Sequence, residues 1–375
     1  MKIVYTTTYF SPHISGLTRG LAPIAEHMAA SGHEVTVICA RHDPALPAEE
    51  TIAGVRIVRV PVWAFVGKGP LMPRFFAACR REMKGADIVH VVAPQADAMV
   101  AALAARLRGA RLVMSYVCSF TTSGPTGWIA TQALRVSHLW AGLFSLRIVA
   151  LSEDYARQSR FCALFNRKLM FIPVPILNVP PREVARRPAI PPFRIGFVGR
   201  ISPDKSLKLL LDAIPHLKAV LDAPFNVEIA GPREPPGTPN ADELSALMEK
   251  AEAAGAIRCH GVLDEAALDR FYRDIDVLVL PSNVRIEAYG MVQVEAMLRG
   301  TPCVVSDRPG MRLPVRETGF GVLFAPGDAQ ALARAVRQVL LEGPPGGAPT
   351  PEALHDHFAP GHVLAAFDRL YAGLV

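Results

Sequence analysis

No run of eighteen residues in this chain is both apolar and free of charge, which leaves nothing that reads as a membrane span. The nearest approach, Leu139 to Leu151, is thirteen residues long and is interrupted by Arg147. Cysteine is sparse: six residues, at 39, 79, 118, 162, 259 and 303, with no Cys-x-x-Cys pair among them. That argues against a zinc site or a disulfide framework and for reduced thiols. The opening MKIVYTTTYF passes straight into a strand without the layout of a signal peptide, so a cytoplasmic location is expected. No RNA- or DNA-binding motif accompanies the basic residues, so nucleic acid is not an expected partner.

What is present is a chain of 375 residues, half of them apolar, long enough for two domains. Its charge is divided unevenly. Residues 1–190 carry a net +11 and residues 191–375 a net −5. A basic half suggests an anionic partner, and a membrane surface qualifies. Arg74, Arg80, Arg81 and Lys84 stand beside Leu71, Met72, Phe75 and Phe76. That stretch reads either as an amphipathic helix lying on anionic lipid or as a surface helix packing its phenylalanines on the core. The apolar segment Trp128 to Leu146 is likewise either a lipid or acceptor groove or a set of buried helices.

Short apolar strands alternate with helical runs twice over. Lys2–Thr7, Glu34–Cys39, Val55–Val60, Ile88–Val92, Leu112–Tyr116 and Arg147–Leu151 are the strands of the first half. Residues 173–192 break the rhythm with seven prolines in twenty residues, which resist both helix and ladder. The pattern then restarts at Arg194–Val198 and runs through Val227–Ala230, Ile257–His260, Asp276–Leu280 and Pro302–Ser306. The expected fold is α/β, two Rossmann-like, doubly wound domains facing an interdomain cleft. The expected boundaries are 1–173 for the first domain, 174–192 for the linker and 193–358 for the second. A last helix, about 359–375, is expected to pack back on the first domain.

The most telling segment is Pro281 to Met297, PSNVRIEAYGMVQVEAM. It holds two glutamates eight positions apart, Glu287 and Glu295, with Gly290 between them. A strand leads in and a helix leads out, so the turn presents backbone N–H groups and the positive end of a helix dipole to an anion such as a diphosphate. In GRISPDK, Arg200 and Lys205 follow the first strand of the second domain. Two cations in a strand–loop–helix setting suit a diphosphate clamp that also stabilises the group as it leaves.

Together these elements resemble the family-4 retaining glycosyltransferases of the GT-B fold. The resemblance covers nearly the whole chain: YFSPHISGLTRGLAPIAEHMAASGHEVTVI, DIVHVVAP, FVGRISPDKS, IEAYGMVQVEAM and RGTPCVVSD each look like a family segment. It implies transfer of a sugar from a nucleoside-diphosphate donor, UDP- or GDP-linked, with retention at the anomeric carbon. It implies that Arg200 and Lys205 bind the diphosphate. Gly290, Met291 and Val292 would offer N–H groups to the distal phosphate or the sugar. Glu295 would take the ribose hydroxyls, and Glu287 the sugar hydroxyls. Gly16 would let the first loop approach acceptor or diphosphate, with His13 beside it on the acceptor side. No cofactor is implied, nor a metal, since Arg200, Lys205 and the helix dipole meet the charge. The acceptor would be a glycan or a lipid-linked hydroxyl, with the enzyme peripheral on the inner face of a membrane.

There are departures. Val117 stands where the family usually has a histidine that contacts the donor sugar near its C6 hydroxyl. Either the donor lacks that hydroxyl, or Ser115, Tyr116 or Ser119 compensates. The loop's glycine pair is reduced to Ser15-Gly16, and Pro173-Val174-Pro175 replaces the usual turn after the interdomain strand. Two alternatives remain open at this point. One is a non-catalytic nucleotide-sugar-binding scaffold, the other a sugar-nucleotide epimerase or phosphorylase of the same architecture.

Overall fold

The computed structural model describes the whole chain except residues 14, 67–68, 120–124, 178–188, 234–240 and 285–286. The chain forms two compact units, Met1–Leu177 with Pro360–Val375, and Asn178–Ala359. Much of the proline-rich stretch read as a linker (174–192) lies outside the described residues.

The first unit is built on β1 (Lys2–Thr6), β2 (Glu34–Arg41), β3 (Glu49–Ile52) and β4 (Val55–Pro61), then a separate hairpin, β5 (Ala64–Val66) and β6 (Gly69–Leu71). β7 (Ile88–Ala93), β8 (Arg111–Tyr116), β9 (Arg147–Ala150) and β10 (Leu169–Phe171) complete it. Eight of these form one sheet in the order β10-β9-β8-β7-β1-β2-β4-β3. The pairs are parallel apart from β3 on β4, a short antiparallel edge that the sequence pattern did not announce. In β1, Ile3 and Tyr5 face one apolar core and Val4 the other, as the period of two requires of a strand covered on both sides.

Helices α1 (Gly16–Ala30), α2 (Phe75–Glu82), α3 (Ala98–Leu107), α4 (Pro125–Phe144), α5 (Glu153–Ala156) and α6 (Arg160–Leu164) belong to the same unit. Ser15 caps α1 by accepting a bond from the Thr18 N–H at 3.2 Å. Of the two readings of the 71–84 stretch, the structure bears out the surface helix that packs on the core. Met72 and Phe75 are buried in the core and Phe76 packs against it, so α2 has no apolar side left for a lipid surface. Arg81 is spent on Glu82 at 2.5 Å.

The second unit runs β11 (Phe193–Val198), α7 (Leu207–Val220), β12 (Phe225–Ala230), α8 (Ala241–Ala253), β13 (Ile257–Gly261) and α9 (Glu265–Asp274). It continues with β14 (Val277–Leu280), α10 (Met291–Met297), β15 (Cys303–Ser306), α11 (Leu313–Thr318), β16 (Gly321–Phe324), α12 (Ala329–Leu341) and α13 (Pro351–His357). Its six strands lie parallel in the order β13-β12-β11-β14-β15-β16. The order reverses between β11 and β14, and the loops leaving their carboxyl ends therefore lie side by side. The chain then returns to the first unit as α14 (Pro360–Ala372), which places Val363, Phe367, Leu370 and Tyr371 in that unit's core.

Candidate active site

In the second unit the switch between β11 and β14 brings together residues 77 and 82 positions apart. The loop after β11 makes a short turn at Pro203–Lys205, and Ser206 sits in the left-handed region at φ +53° before α7 begins. The segment after β14 is stitched to it. Asn283 N–H donates to Ser206 Oγ at 3.1 Å, and Ser282 Oγ to the Lys205 carbonyl at 3.5 Å. Lys205 and Glu287 form an ion pair between these two segments. Arg200 is paired with Asp204 at 2.8 Å. Burial pushes the Asp204 carboxyl up, but a bond from Ser202 with the charges of Arg200 and Lys205 outweighs it and holds the group below its ordinary value.

Two glycines make room for this. A Cβ on Gly231, at the end of β12, would stand 1.9 Å from the Gly199 carbonyl oxygen, so the loops after β11 and β12 can approach only because that side chain is absent. Gly290 caps α10 at φ +72° and ψ 60°, and a Cβ there would meet Gln293 and Leu280 at 2.7 Å. The fully buried Gln293 fixes the turn by donating to the Tyr289 carbonyl at 2.8 Å and the Met311 carbonyl at 2.7 Å. Met291 and Val292 form the first turn of α10, whose N–H groups point out of the helix by its geometry. Glu295 is not a solvated helix residue. It is buried and accepts a bond from the Tyr272 hydroxyl at 2.7 Å.

Several members of the site were not foreseen. Asp204 lies inside the GRISPDK motif, but the motif alone does not mark it as the partner of Arg200. Arg308 follows β15, the strand next to β14, and holds the Asn283 side-chain carbonyl with Nε at 2.8 Å. Its only sequence signal is a cation just past a strand end. Tyr272 lies 23 positions before Glu295, a separation that carries no local signal. One Asp-x-Asp spacing also exists, Asp274-Ile275-Asp276. It lies at the amino end of β14, where Asp276 accepts from the Arg194 N–H at 2.8 Å and Asp274 pairs with the Arg194 side chain at 3.5 Å. Both carboxylates thus serve Arg194 at the end of the sheet opposite to the loops described above.

The residues assigned to the acceptor side belong to the first unit. Gly16 is the first residue of α1 rather than part of the loop before it. His13 stacks on Tyr9 with ring centroids 4.6 Å apart, and meets His42 edge-on at 5.2 Å. Burial first, then the neighbouring His42, lowers its pKa. Its Nδ1 atom is buried without a hydrogen-bond partner. His90 and His138 are structural. His90 joins the Tyr371 hydroxyl at 2.5 Å and Ser115 Oγ at 2.8 Å, and His138 accepts from the Gln95 N–H at 3.2 Å.

The sequence profile described as "Glycosyl transferases group 1" matches residues 185–354, and that of the "Glycosyl transferase 4-like domain" matches residues 15–175. The chain belongs to the group 1 glycosyltransferases. This glycosyltransferase is 29% identical to the phosphatidyl-myo-inositol mannosyltransferase of Mycobacterium leprae, over 91% of its own length and 87% of the relative's. It is 28% identical to the GDP-mannose-dependent alpha-mannosyltransferase of Mycolicibacterium smegmatis, over 91% and 89%. Among solved structures it matches Anabaena HepE in complex with UDP and glucose with a TM-score of 0.74, covering all of both chains at 18% identity. At that identity the likeness concerns the fold, which is the α/β, two-sheet GT-B fold. The homologues are named glycosyltransferases, which makes the chain a glycosyltransferase and sets aside the scaffold and epimerase readings.

Proposed function

We propose that the protein transfers a sugar from a UDP- or GDP-sugar to a hydroxyl of a glycan or lipid-linked acceptor, with retention and without a metal. One observation carries the reading: Lys205 and Glu287 meet at the switch point of the second unit's sheet, beside Arg200 and the left-handed turn at Gly290. A cation facing a carboxylate is what a donor needs at its diphosphate–sugar junction. With donor bound, Lys205 and Arg200 turn to the two phosphates, and Glu287, released from Lys205, takes sugar hydroxyls. Gly290, Met291 and Val292 direct N–H groups to the distal phosphate or the sugar. Glu295, oriented by Tyr272, takes the ribose hydroxyls.

As the bond between the anomeric carbon and the phosphate oxygen breaks, negative charge grows on the diphosphate, and Arg200 and Lys205 stabilise it. The acceptor oxygen bonds to the anomeric carbon on the same face. Its proton passes to the departing phosphate oxygen, which balances the step and retains the configuration. These two cations supply the charge that a divalent ion would otherwise bring.

Val117 is half-buried, and its polar neighbours already have protein partners. Ser115 is held by His90 at 2.8 Å, and Tyr116 and Ser119 hold each other at 3.0 Å.

The test is thermal stabilisation by UDP, GDP, ADP and dTDP in the presence of EDTA. One nucleotide at about 100 times its Kd is expected to add about 2.7 kcal/mol, an effect absent in the double variant Arg200→Ala, Lys205→Ala. Stabilisation by none of them, or only after metal is added, would contradict the proposal. Proton NMR of the first product formed reads the anomeric configuration directly.

A further inference from the structure

The outer faces of α3 and α4 are apolar where a surface helix is ordinarily polar. The two helices lie side by side in register. Met99 N–H donates to Ser137 Oγ at 2.9 Å, and seven residues further along both helices the Arg106 guanidinium lies 5.5 Å from the Phe144 ring centre. Gly127, Thr131, His138 and Ala141 turn α4's other side inward. Trp128, Val136, Trp140 and Leu143 are left exposed on its outer face, as are Leu103 and Leu107 on α3. Trp128 is 64% exposed and Leu107 60%. The twelve residues of α4 before Ser137 extend about 18 Å beyond the start of α3. So large an exposed apolar area marks an interaction surface.

Charge says what covers it. From Ala98 to Ser152 there are five arginines, at 106, 108, 111, 135 and 147, and no aspartate or glutamate. A second copy docked through the same face would oppose these cations to their own images without a counter-charge. An anionic lipid surface meets both properties, since headgroups take the arginines while tryptophans settle at the depth they favour. No helix among the described residues is long and apolar enough to cross a membrane, so the contact is parallel to the surface. We infer that the outer face of α3 and α4 binds the surface of an anionic bilayer. The inference deepens the reading of a membrane-held acceptor and rests on it only for its purpose, because binding needs no sugar transfer.

All three tryptophans of the chain, Trp63, Trp128 and Trp140, are exposed, so intrinsic fluorescence reports the contact. With Trp63→Phe as background, the full chain is mixed with phosphatidylcholine vesicles with or without phosphatidylglycerol. The expected result is co-sedimentation and a blue-shifted emission with the anionic vesicles only. In the native background, Trp128→Ser with Trp140→Ser is expected to weaken binding at least tenfold. Arg135→Glu with Arg147→Glu is expected to do the same, with the thermal shift by nucleotide unchanged in both. An emission unmoved by vesicles, or native binding by either double variant, would overturn the inference. So would a dimer seen by sedimentation velocity that the tryptophan variant dissolves, which would give the face to a second copy. Loss of the nucleotide shift alone would instead strike the donor chemistry and leave the surface standing.

Discussion

Lys205 and Glu287 are each other's partners before any donor arrives, and this sets what their removal should do. Glu287→Gln frees Lys205 for the diphosphate while taking away the carboxylate that orients the sugar. Nucleotide affinity is expected to hold or rise, and kcat to fall about 100-fold with little change in the donor's KM. Equal losses in nucleotide binding and turnover would make the residue a structural prop. A different residue-scale case is the buried row Ser115–His90–Tyr371–Tyr5, where the Tyr371 hydroxyl lies 2.5 Å from His90 and 3.1 Å from Tyr5. Tyr371→Phe keeps the ring and leaves two buried groups without a partner, so a loss of about 1–3 kcal/mol is expected in urea unfolding, with no change in nucleotide binding. Of these residues, Arg200, Lys205, Glu287, Gly290 and Glu295 could be picked from the chain because each sits in a short strand–loop–helix pattern. Asp204, Tyr272, Asn283 and Arg308 could not, because their meaning comes from partners that only folding supplies.

At the scale of elements, the site depends on two loops being able to touch. Gly231 is where the loops after β11 and β12 come closest. Gly231→Ala would force the Gly199 carbonyl aside, together with the loop that carries Arg200 and Lys205. A loss of about 1–3 kcal/mol is expected, along with the loss of stabilisation by nucleotide. An alanine variant that binds nucleotide normally would show the loop to be more adaptable than its geometry indicates. The elements also show how far patterning reaches. The strands and helices of both units fall where apolar runs and caps place them, including α12, whose Asp328 cap accepts from the Ala331 N–H at 2.8 Å. The β5–β6 hairpin and the β3 edge were missed because these short strands are largely exposed and carry no apolar run. The 71–84 helix was left with two readings for a related reason. Periodicity finds an apolar face but does not say whether a core or a membrane covers it, and Phe75 belongs to the core.

For the molecule as a whole, the second unit is continuous in sequence and has a core of its own, whereas the first borrows α14 from the end of the chain. Residues 178–359 expressed alone are expected to fold cooperatively and to be stabilised by the same nucleotide as the full chain. Residues 1–177 are expected to fail, because Phe367, Leu370 and Tyr371 would be missing from their core. Acid sensitivity is a second property of the whole. Burial lowers the pKa of His90 to about 3 and that of His138 to about 4. Below pH 6.5 the unfolded chain therefore takes up protons that the folded chain refuses, and stability falls as pH drops. Asp97, pushed up to about 6 by burial, acts in the opposite direction between about pH 4 and 6, since the folded state keeps a proton that the unfolded state has lost. Two histidines outweigh one carboxyl, so Tm is expected to climb from pH 4.5 to 6.5, and more steeply in Asp97→Asn. A flat profile, or one unaffected by that substitution, would contradict this balance.

The two α/β halves, the segment that carries the two glutamates, and the pair of cations after β11 are legible in the chain alone. Each is written in residues close enough together for strand, turn and helix preferences to show. The tertiary structure alone decided which charges meet, because Lys205 and Glu287 become neighbours only through the reversal of strand order between β11 and β14. It alone decided that the phenylalanines of α2 face inward while the tryptophans of α4 face outward. The apolar residues of α4 state that something will cover them, and only the packing of its neighbours leaves one side without cover.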